Sequence, residues 1–369
     1  MKSNRCSHAS HGLDISPGGW IKPCCIIDGS IFPKINIRNN TLEEYRQHPA
    51  VLDLQKKLEA GERPDACKVC WQYEDNNIQS QRQIENARHY AGNRVSLAIG
   101  NLCNYRCRIC GPDSSSKLSK EWEVIFGEKK MKQDWYKEDY IWQDVLDNAK
   151  DLNYLQIVGG EPFLLEINQH IALLQKCIDV GAAKNMVLHY VTNGSIRPTQ
   201  KLLDLMDHFK TVDILMSMDG IGEHFEYNRK GGNWETFKSN LFFWRDRYAP
   251  NQLTGLNITV SAFTVFYLDK ILTWCKKNGV HNTVFLNKLE WEPYYRVGVL
   301  PKSVKEMIKK EWNRSSHWSL RKATGWLDAD DTHLFHKFTN ITRAHDQYRR
   351  ESFAETFPEL HQAIQQSAS

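Results

Sequence analysis

No run of 18 apolar residues occurs anywhere in the chain, so nothing in it reads as a membrane-spanning helix. The opening residues, Met1-Lys-Ser-Asn-Arg-Cys-Ser-His-Ala-Ser-His11, lack the apolar core of a secretory leader, and the expectation is a cytoplasmic protein. Charge of one sign is also scarce. Lys and Arg number 48 against 44 Asp and Glu, a formal excess of +4 over 369 residues, and no Lys/Arg block stands out. That balance gives no electrostatic footprint for nucleic acid. The charged fraction of 25% and the hydrophobic fraction of 41% are those of a globular chain, long enough for one large domain with an appendage or for two ordinary ones. What the chain does have is cysteine, ten in all. In a protein read as intracellular, so many thiols argue for metal or redox chemistry and against disulfides.

The cysteines are clustered. Cys6, Cys24, Cys25, Cys67 and Cys70 come first, then Cys103, Cys107 and Cys110, then Cys177 and Cys275. The last two fall in amphipathic helical patterns and read as small buried hydrophobes. The central three follow the apolar, β-branched run Val95–Leu102 with the spacing C-x3-C-x2-C, which puts three thiols on a loop at the end of a strand. Four-iron clusters are ordinarily closed by four cysteines and structural zinc by four Cys or His ligands. Three thiolates therefore leave one iron of a cluster open to a small molecule. A zinc knuckle completed by a distant histidine is the alternative on spacing alone.

From about residue 94 the chain alternates. Short apolar runs at Val95–Leu102, Leu155–Val158, Met186–Val191, Val212–Met216, Leu256–Val265 and His281–Leu286 predict strands, and Glu166–Asp179, Gln200–Phe209, Trp234–Arg247 and Leu268–Lys277 predict the helices between them. Such βα repetition predicts an α/β fold with parallel strands wrapped by helices, and a partial (β/α)6, TIM-like barrel fits the count. The segment Ser114–Lys150 is read as helix and loop lying across the site. In α/β barrels chemistry collects at the C-terminal ends of strands. The predicted strand ends carry Gly159-Gly160-Glu161-Pro162, Thr192-Asn193-Gly194 and Ser217-Met218-Asp219-Gly220, where glycines admit close backbone approach and polar side chains stand beside the cysteine loop.

Taken together, the three-cysteine loop and these strand ends resemble the radical S-adenosylmethionine (radical SAM) superfamily. The resemblance implies a [4Fe-4S] cluster on Cys103, Cys107 and Cys110, with S-adenosyl-L-methionine on its open iron. It implies that Gly159, Gly160, Glu161 and Pro162 receive the cofactor's ammonium, that Asn193 and Ser217 lie near its carboxylate and ribose with Asp219 beside them, and that Arg229 stands against the carboxylate. Ile109 occupies the place before the third cysteine where the family usually carries an aromatic residue.

N-terminal to this core, Cys6, then Gly19 after twelve residues, then Cys24, followed by Cys67-Lys-Val-Cys70, make a four-thiolate site plausible for zinc or iron-sulfur. Between the pairs, Thr41–Arg46 and Pro49–Leu58 read as short helices, with Thr41 and Glu44 forming a capping box. The C-x12-G-x4-C…C-x2-C pattern is similar to the auxiliary-cluster module called twitch, the shorter relative of SPASM, here placed before the core. That resemblance implies a second, auxiliary [4Fe-4S] cluster on Cys6, Cys24, Cys67 and Cys70, with Cys25 a neighbour or substitute. His8 and His11 are read as solvated or structural. The expected organisation is a twitch-like module over 1–92, a radical SAM core over 93–290, and an aromatic, helical extension over 291–369 that covers the barrel. In that extension Trp291, Tyr294, Tyr295, Trp312, Trp318 and Trp326 either line a substrate groove or cover the open barrel side.

The resemblance further implies an enzyme that reductively cleaves S-adenosylmethionine to a 5′-deoxyadenosyl radical and abstracts hydrogen from a substrate, with an electron donor such as flavodoxin or ferredoxin. Oxidative modification or cross-linking of a peptide or protein is the first expectation. The alternatives are a small-molecule dehydrogenase acting on an aminocyclitol or sugar-like substrate and, from another class, a zinc-structured binding module without catalysis. No general acid or base is named; His189, Tyr190 and Asp219 lie near the predicted rim.

Overall fold

In a computed structural model, residues 4–75, 79–87, 93–129, 133–164, 168–248, 254–281 and 283–367 are described. Among them are eleven strands: β1 (Gly12–Ile15), β2 (Trp20–Lys22), β3 (Ile35–Asn36), β4 (Asn93–Ala98), β5 (Arg106–Cys107), β6 (Leu152–Val158), β7 (Val187–Thr192), β8 (Thr211–Ser217), β9 (Arg229–Lys230), β10 (Thr254–Val260) and β11 (Val284–Lys288). The chain divides into two compact units. One comprises Met1–Leu102, Met131–Val191 and Pro198–Asp213, the other Cys103–Lys130, Thr192–Arg197 and Ile214–Ser369.

In the first unit the strand order is β7-β6-β4-β1-β2-β3. The pairs β7–β6, β6–β4 and β4–β1 are parallel, whereas β1–β2 and β2–β3 are antiparallel. The register sets Val95 beside Leu155 and Leu97 beside Ile157, all fully buried. β4 is buried at nearly every position, as expected of a strand covered on both faces. The helix Asn168–Asp179 buries His170, Leu173, Leu174 and Cys177, the i, i+3, i+4, i+7 stripe that an amphipathic helix turns to a core. β1, β2 and β3 extend the sheet beyond the expected strands. They are two to four residues long and take their extended form from pairing outward from β4.

In the second unit β8, β10 and β11 run parallel, and β5 pairs antiparallel with β9, setting Cys107 opposite Arg229. The helix Leu268–Lys277 repeats the same stripe with Leu268, Ile271, Leu272 and Cys275. Burial pushes both Cys177 and Cys275 up to about 12, so neither is a thiolate, and the reading of both as core residues agrees with their place. The extension contributes the helices Lys302–Arg314 and Phe335–Arg349. Tyr295 and Trp312 are buried, with Tyr295 packed on Phe263 at 4.9 Å between ring centres, while Trp291 and Trp318 are exposed. The expected capping box is present: Thr41 Oγ1 accepts from the Glu44 amide, and the Glu44 carboxylate accepts from the Thr41 amide.

Candidate active site

The loop that carries Cys103, Cys107 and Cys110 is held by the backbone around it. The Arg108 amide donates to the Asn228 carbonyl at 2.8 Å and the Ser115 hydroxyl to the Tyr105 carbonyl at 2.6 Å. Trp291 Nε1 donates to the Ile109 carbonyl at 2.7 Å. Donors then converge on the sulfurs. The Tyr105 amide lies 3.4 Å and Asn193 Nδ2 3.7 Å from Cys103 Sγ, and Arg229 Nη1 lies 3.7 Å from Cys107 Sγ. A hydrogen bond from Cys110, helped by the Arg229 charge, overcomes burial and lowers the Cys107 thiol. The same hydrogen bond and burial push Cys110 well up. N–H groups and a cation directed at buried sulfur stabilise thiolate, the form that ligates iron. The residues present thus fit a thiolate-bound cluster. Among the described residues, no group of three or more Cys, His, Asp or Glu converges on a single metal ion.

The strand-end residues of this unit are tied to that loop. Asn193 accepts from the Ser195 amide at 2.9 Å and donates to Asn104 Oδ1 at 2.8 Å, which aims its amide at Cys103. Asp219 pairs with Arg229 at 2.6 Å, and its other oxygen accepts from the Thr259 amide at 2.9 Å. Both are buried, so Asp219 fixes the guanidinium that faces Cys107. Ser217 ends β8 half-buried.

In the first unit, the Gly159–Pro162 turn folds against the end of its neighbouring strand. The Gly160 amide donates to the Gly100 carbonyl at 3.2 Å and the Glu161 amide to the Leu102 carbonyl at 2.8 Å. A Cβ on Gly160 would collide with the Leu102 carbonyl, and Gly159 has φ +135°, so each glycine is required by the backbone itself. The Glu161 carboxylate is buried and accepts from the Phe163 amide at 3.1 Å. Tyr190 Oη meets His170 Nε2 at 2.7 Å, and His189 Nδ1 lies 3.7 Å from Asp213.

The same unit brings Cys6, Cys24, Cys67 and Cys70 around one cavity, together with His8 and Arg82. Cys6 precedes the helix Ser7–His11, Cys24 follows β2, Cys67 ends a 3₁₀ turn and Cys70 lies in the helix Lys68–Asp75. Burial raises all four thiols, and neighbouring thiols raise Cys6, Cys24 and Cys67 further, as Glu74 does Cys70; Cys67 is pushed up to about 12. Arg82 opposes this on Cys6, Cys67 and Cys70. It is oriented by Glu74 at 2.6 and 3.1 Å. Cys25 is exposed, and His8 is buried at the cavity, not solvated.

Some residues of this neighbourhood carry no sequence signal. Within the second unit, Glu121 accepts from Arg349 Nε at 2.6 Å and from His345 and faces Arg106 at 3.3 Å, while Arg108 Nη2 is shared by Asp346 and Glu351. Their separations in sequence exceed 220 residues for every pair that reaches the C-terminal extension, so no local pattern announces them.

Comparison with known families bears on the loop directly. Residues 97–263 match the Radical SAM superfamily. The matched stretch runs from within β4 through the cysteine loop to just beyond β10, and its strands form the mostly parallel α/β arrangement expected of a partial barrel. Among solved structures, native anSMEcpe with bound AdoMet is 17% identical over 58% of this chain and 57% of that one, with a TM-score of 0.41. Native anSMEcpe with bound AdoMet and Kp18Cys peptide is 15% identical over 60% and 59%, with a TM-score of 0.43. The chain thus spans somewhat under 60% of the length of those structures. No curated protein matches it.

Proposed function

We propose that this chain is a two-cluster radical SAM enzyme that oxidises or cross-links a peptide or protein substrate. Cys103, Cys107 and Cys110 would hold the cluster that binds S-adenosylmethionine, and Cys6, Cys24, Cys67 and Cys70 the auxiliary one. Bound there, cluster and cofactor supply a low-potential electron and a 5′-deoxyadenosyl radical able to take a hydrogen atom from substrate. The observation that carries the reading is the set of donors on the loop sulfurs: the Tyr105 amide, Asn193 Nδ2 and Arg229 Nη1.

The chain's own residues set the conditions. Asp219 holds Arg229 charged beside Cys107, so negative charge on that sulfur is stabilised. Asn104 keeps the Asn193 amide directed at Cys103. Glu161 and the Gly159–Gly160 backbone would receive the ammonium, and Ser217 the polar end of the ribose. The four-thiol cavity supports a net oxidation, since loss of an electron after hydrogen abstraction needs an acceptor within the protein. A flavodoxin or ferredoxin would supply the first electron. The module, core and extension boundaries expected at residues 92/93 and 290/291 belong to the same proposal.

Anaerobic reconstitution with iron and sulfide tests it. Wild type should take up about eight irons, as two [4Fe-4S] clusters require, and should form 5′-deoxyadenosine with dithionite and S-adenosylmethionine. Cys107→Ala should retain about half the iron and form none. Cys67→Ala should also retain about half, yet still cleave the cofactor. Tightly bound zinc in both cysteine sets without 5′-deoxyadenosine would overturn the reading. A modified residue found by mass spectrometry in a peptide substrate, absent without S-adenosylmethionine, would establish the substrate class.

A further inference from the structure

We infer that Arg82 is a positioning residue for electron uptake at the N-terminal cysteine site, where its guanidinium, fixed against the sulfurs by Glu74, stabilises the negative charge that the reduced site gains. The inference deepens the two-cluster reading and rests on it. Arg82 lines the cavity shared by Cys6, Cys24, Cys67 and Cys70, and no carboxylate is found among the described residues of that lining. The guanidinium is held on several sides. Nε and Nη2 donate to the two oxygens of Glu74 at 3.1 and 2.6 Å, and Nη1 donates at 3.1 Å to the carbonyl of Arg5, the residue before Cys6. Its Cζ lies 4.9 Å from the ring centre of Trp71, which is buried and donates from Nε1 to the Pro64 carbonyl at 3.0 Å.

A buried ion pair of this kind adds little stability over neutral packing, and tethering does not require one. Asn86, one turn along the helix Gln81–Ala87, donates to the same Arg5 carbonyl at 2.7 Å and accepts from the Ser7 amide and hydroxyl at 2.9 and 2.7 Å. A neutral side chain therefore already ties this helix to both flanks of Cys6. What Arg82 adds is charge, which burial shields from salt. That charge bears on Cys6, Cys67 and Cys70, while Glu74, one helical turn from Cys70, acts against it there. Backbone amides work with the cation: Cys6 accepts from Ala9 and His8, Cys24 from Ile26 and Cys70 from Arg82. In the proposed oxidation the substrate radical loses one electron to the quartet's cluster and a proton to solvent, and the cluster gains one negative charge. Nearby positive charge and hydrogen bonds to sulfur favour that reduced form and raise its potential.

The test is a potentiometric titration of the iron-loaded full chain, followed by visible absorbance and by electron paramagnetic resonance of the reduced sample. Wild type should show two waves, and the one that Cys67→Ala lacks belongs to the N-terminal site. Arg82→Gln should move that wave to lower potential and Glu74→Gln to higher potential, with the other wave unmoved. Arg82→Lys, which keeps the charge, should fall between Arg82→Gln and wild type. Opposite shifts mark a field, because loosening of the helix would move both variants the same way. If Arg82→Gln fails to hold iron, Glu74→Gln decides: a raised wave supports the inference, and an unmoved or lowered one sinks it. Shifts of one sign, or waves in place in both variants, would overturn the inference and leave the two-cluster reading standing. About four irons and a single wave in wild type would overturn both.

Discussion

Glu121 is fully buried, and it stays ionised because of what surrounds it. Burial alone would raise its carboxyl; the His345 hydrogen bond and the Arg349 charge override that and hold it below the ordinary range. Glu121→Gln would leave Arg349 without its counter-charge, and denaturant unfolding should show a loss of about 3–5 kcal/mol, the cost of breaking a buried pair on one side. A second titratable group makes a pH prediction. His224 lies between Tyr267 and Phe357, with ring centres at 4.3 and 4.6 Å. Burial lowers its pKa against a backbone hydrogen bond with Thr356 that raises it. A group depressed on folding binds more protons when unfolded, so its contribution is present above the unfolded value, near 6.5, and is lost as pH falls below it. His224→Phe should flatten the decline of wild-type stability on the acid side of 6.5, measured as the difference between the two denaturation curves. Neither Glu121 nor His224 was legible in the sequence, because each depends on a partner more than a hundred positions away, His345 for Glu121 and Phe357 for His224. The three loop cysteines were legible, because a strand followed by close spacing forces them together whatever the rest of the chain does.

At the scale of elements, the alternation of six strands with helices was legible because each element carries its own period. The helices Asn168–Asp179 and Leu268–Lys277 show the same buried stripe, ending on Cys177 and Cys275, which the sequence pattern had placed in the core. Strands β1 to β3 were not legible. Runs of two to four residues have no period to read, and their pairing partners set their form. The turn after β6 gives an element-level prediction. Gly160→Ala should push the turn off the Leu102 carbonyl and lower the unfolding temperature by several degrees, since one kcal/mol corresponds to about 2–4 °C in chains of roughly this size or a little smaller. Thr41→Ala should remove the capping box of the helix Leu42–Arg46 and cost about 1 kcal/mol, checked by the same curves.

For the molecule as a whole, the two cysteine sets differ in how their residues are assembled. Cys103, Cys107 and Cys110 occupy one loop, whereas Cys6, Cys24 and the Cys67/Cys70 pair reach their shared cavity from three separate places in the first seventy residues. On the proposed two-cluster reading, iron uptake should follow that difference. In an unfolded chain under anaerobic conditions the loop trio remains a local chelate, while the dispersed quartet depends on folding. A titration of iron retained against urea should therefore fall in two steps, with the quartet's share lost together with the far-ultraviolet dichroism.

The grip of Arg108 on Asp346 and Glu351 also has a consequence for synthesis. The residue next to Cys107 receives its counter-charges from Asp346 and Glu351, 238 and 243 positions further along the chain and so made long after the loop itself. The loop therefore cannot close on these partners until the helix Phe335–Arg349 and Glu351 have been made. A translation product that stalls before the helix Phe335–Arg349 leaves Arg108 without either counter-charge.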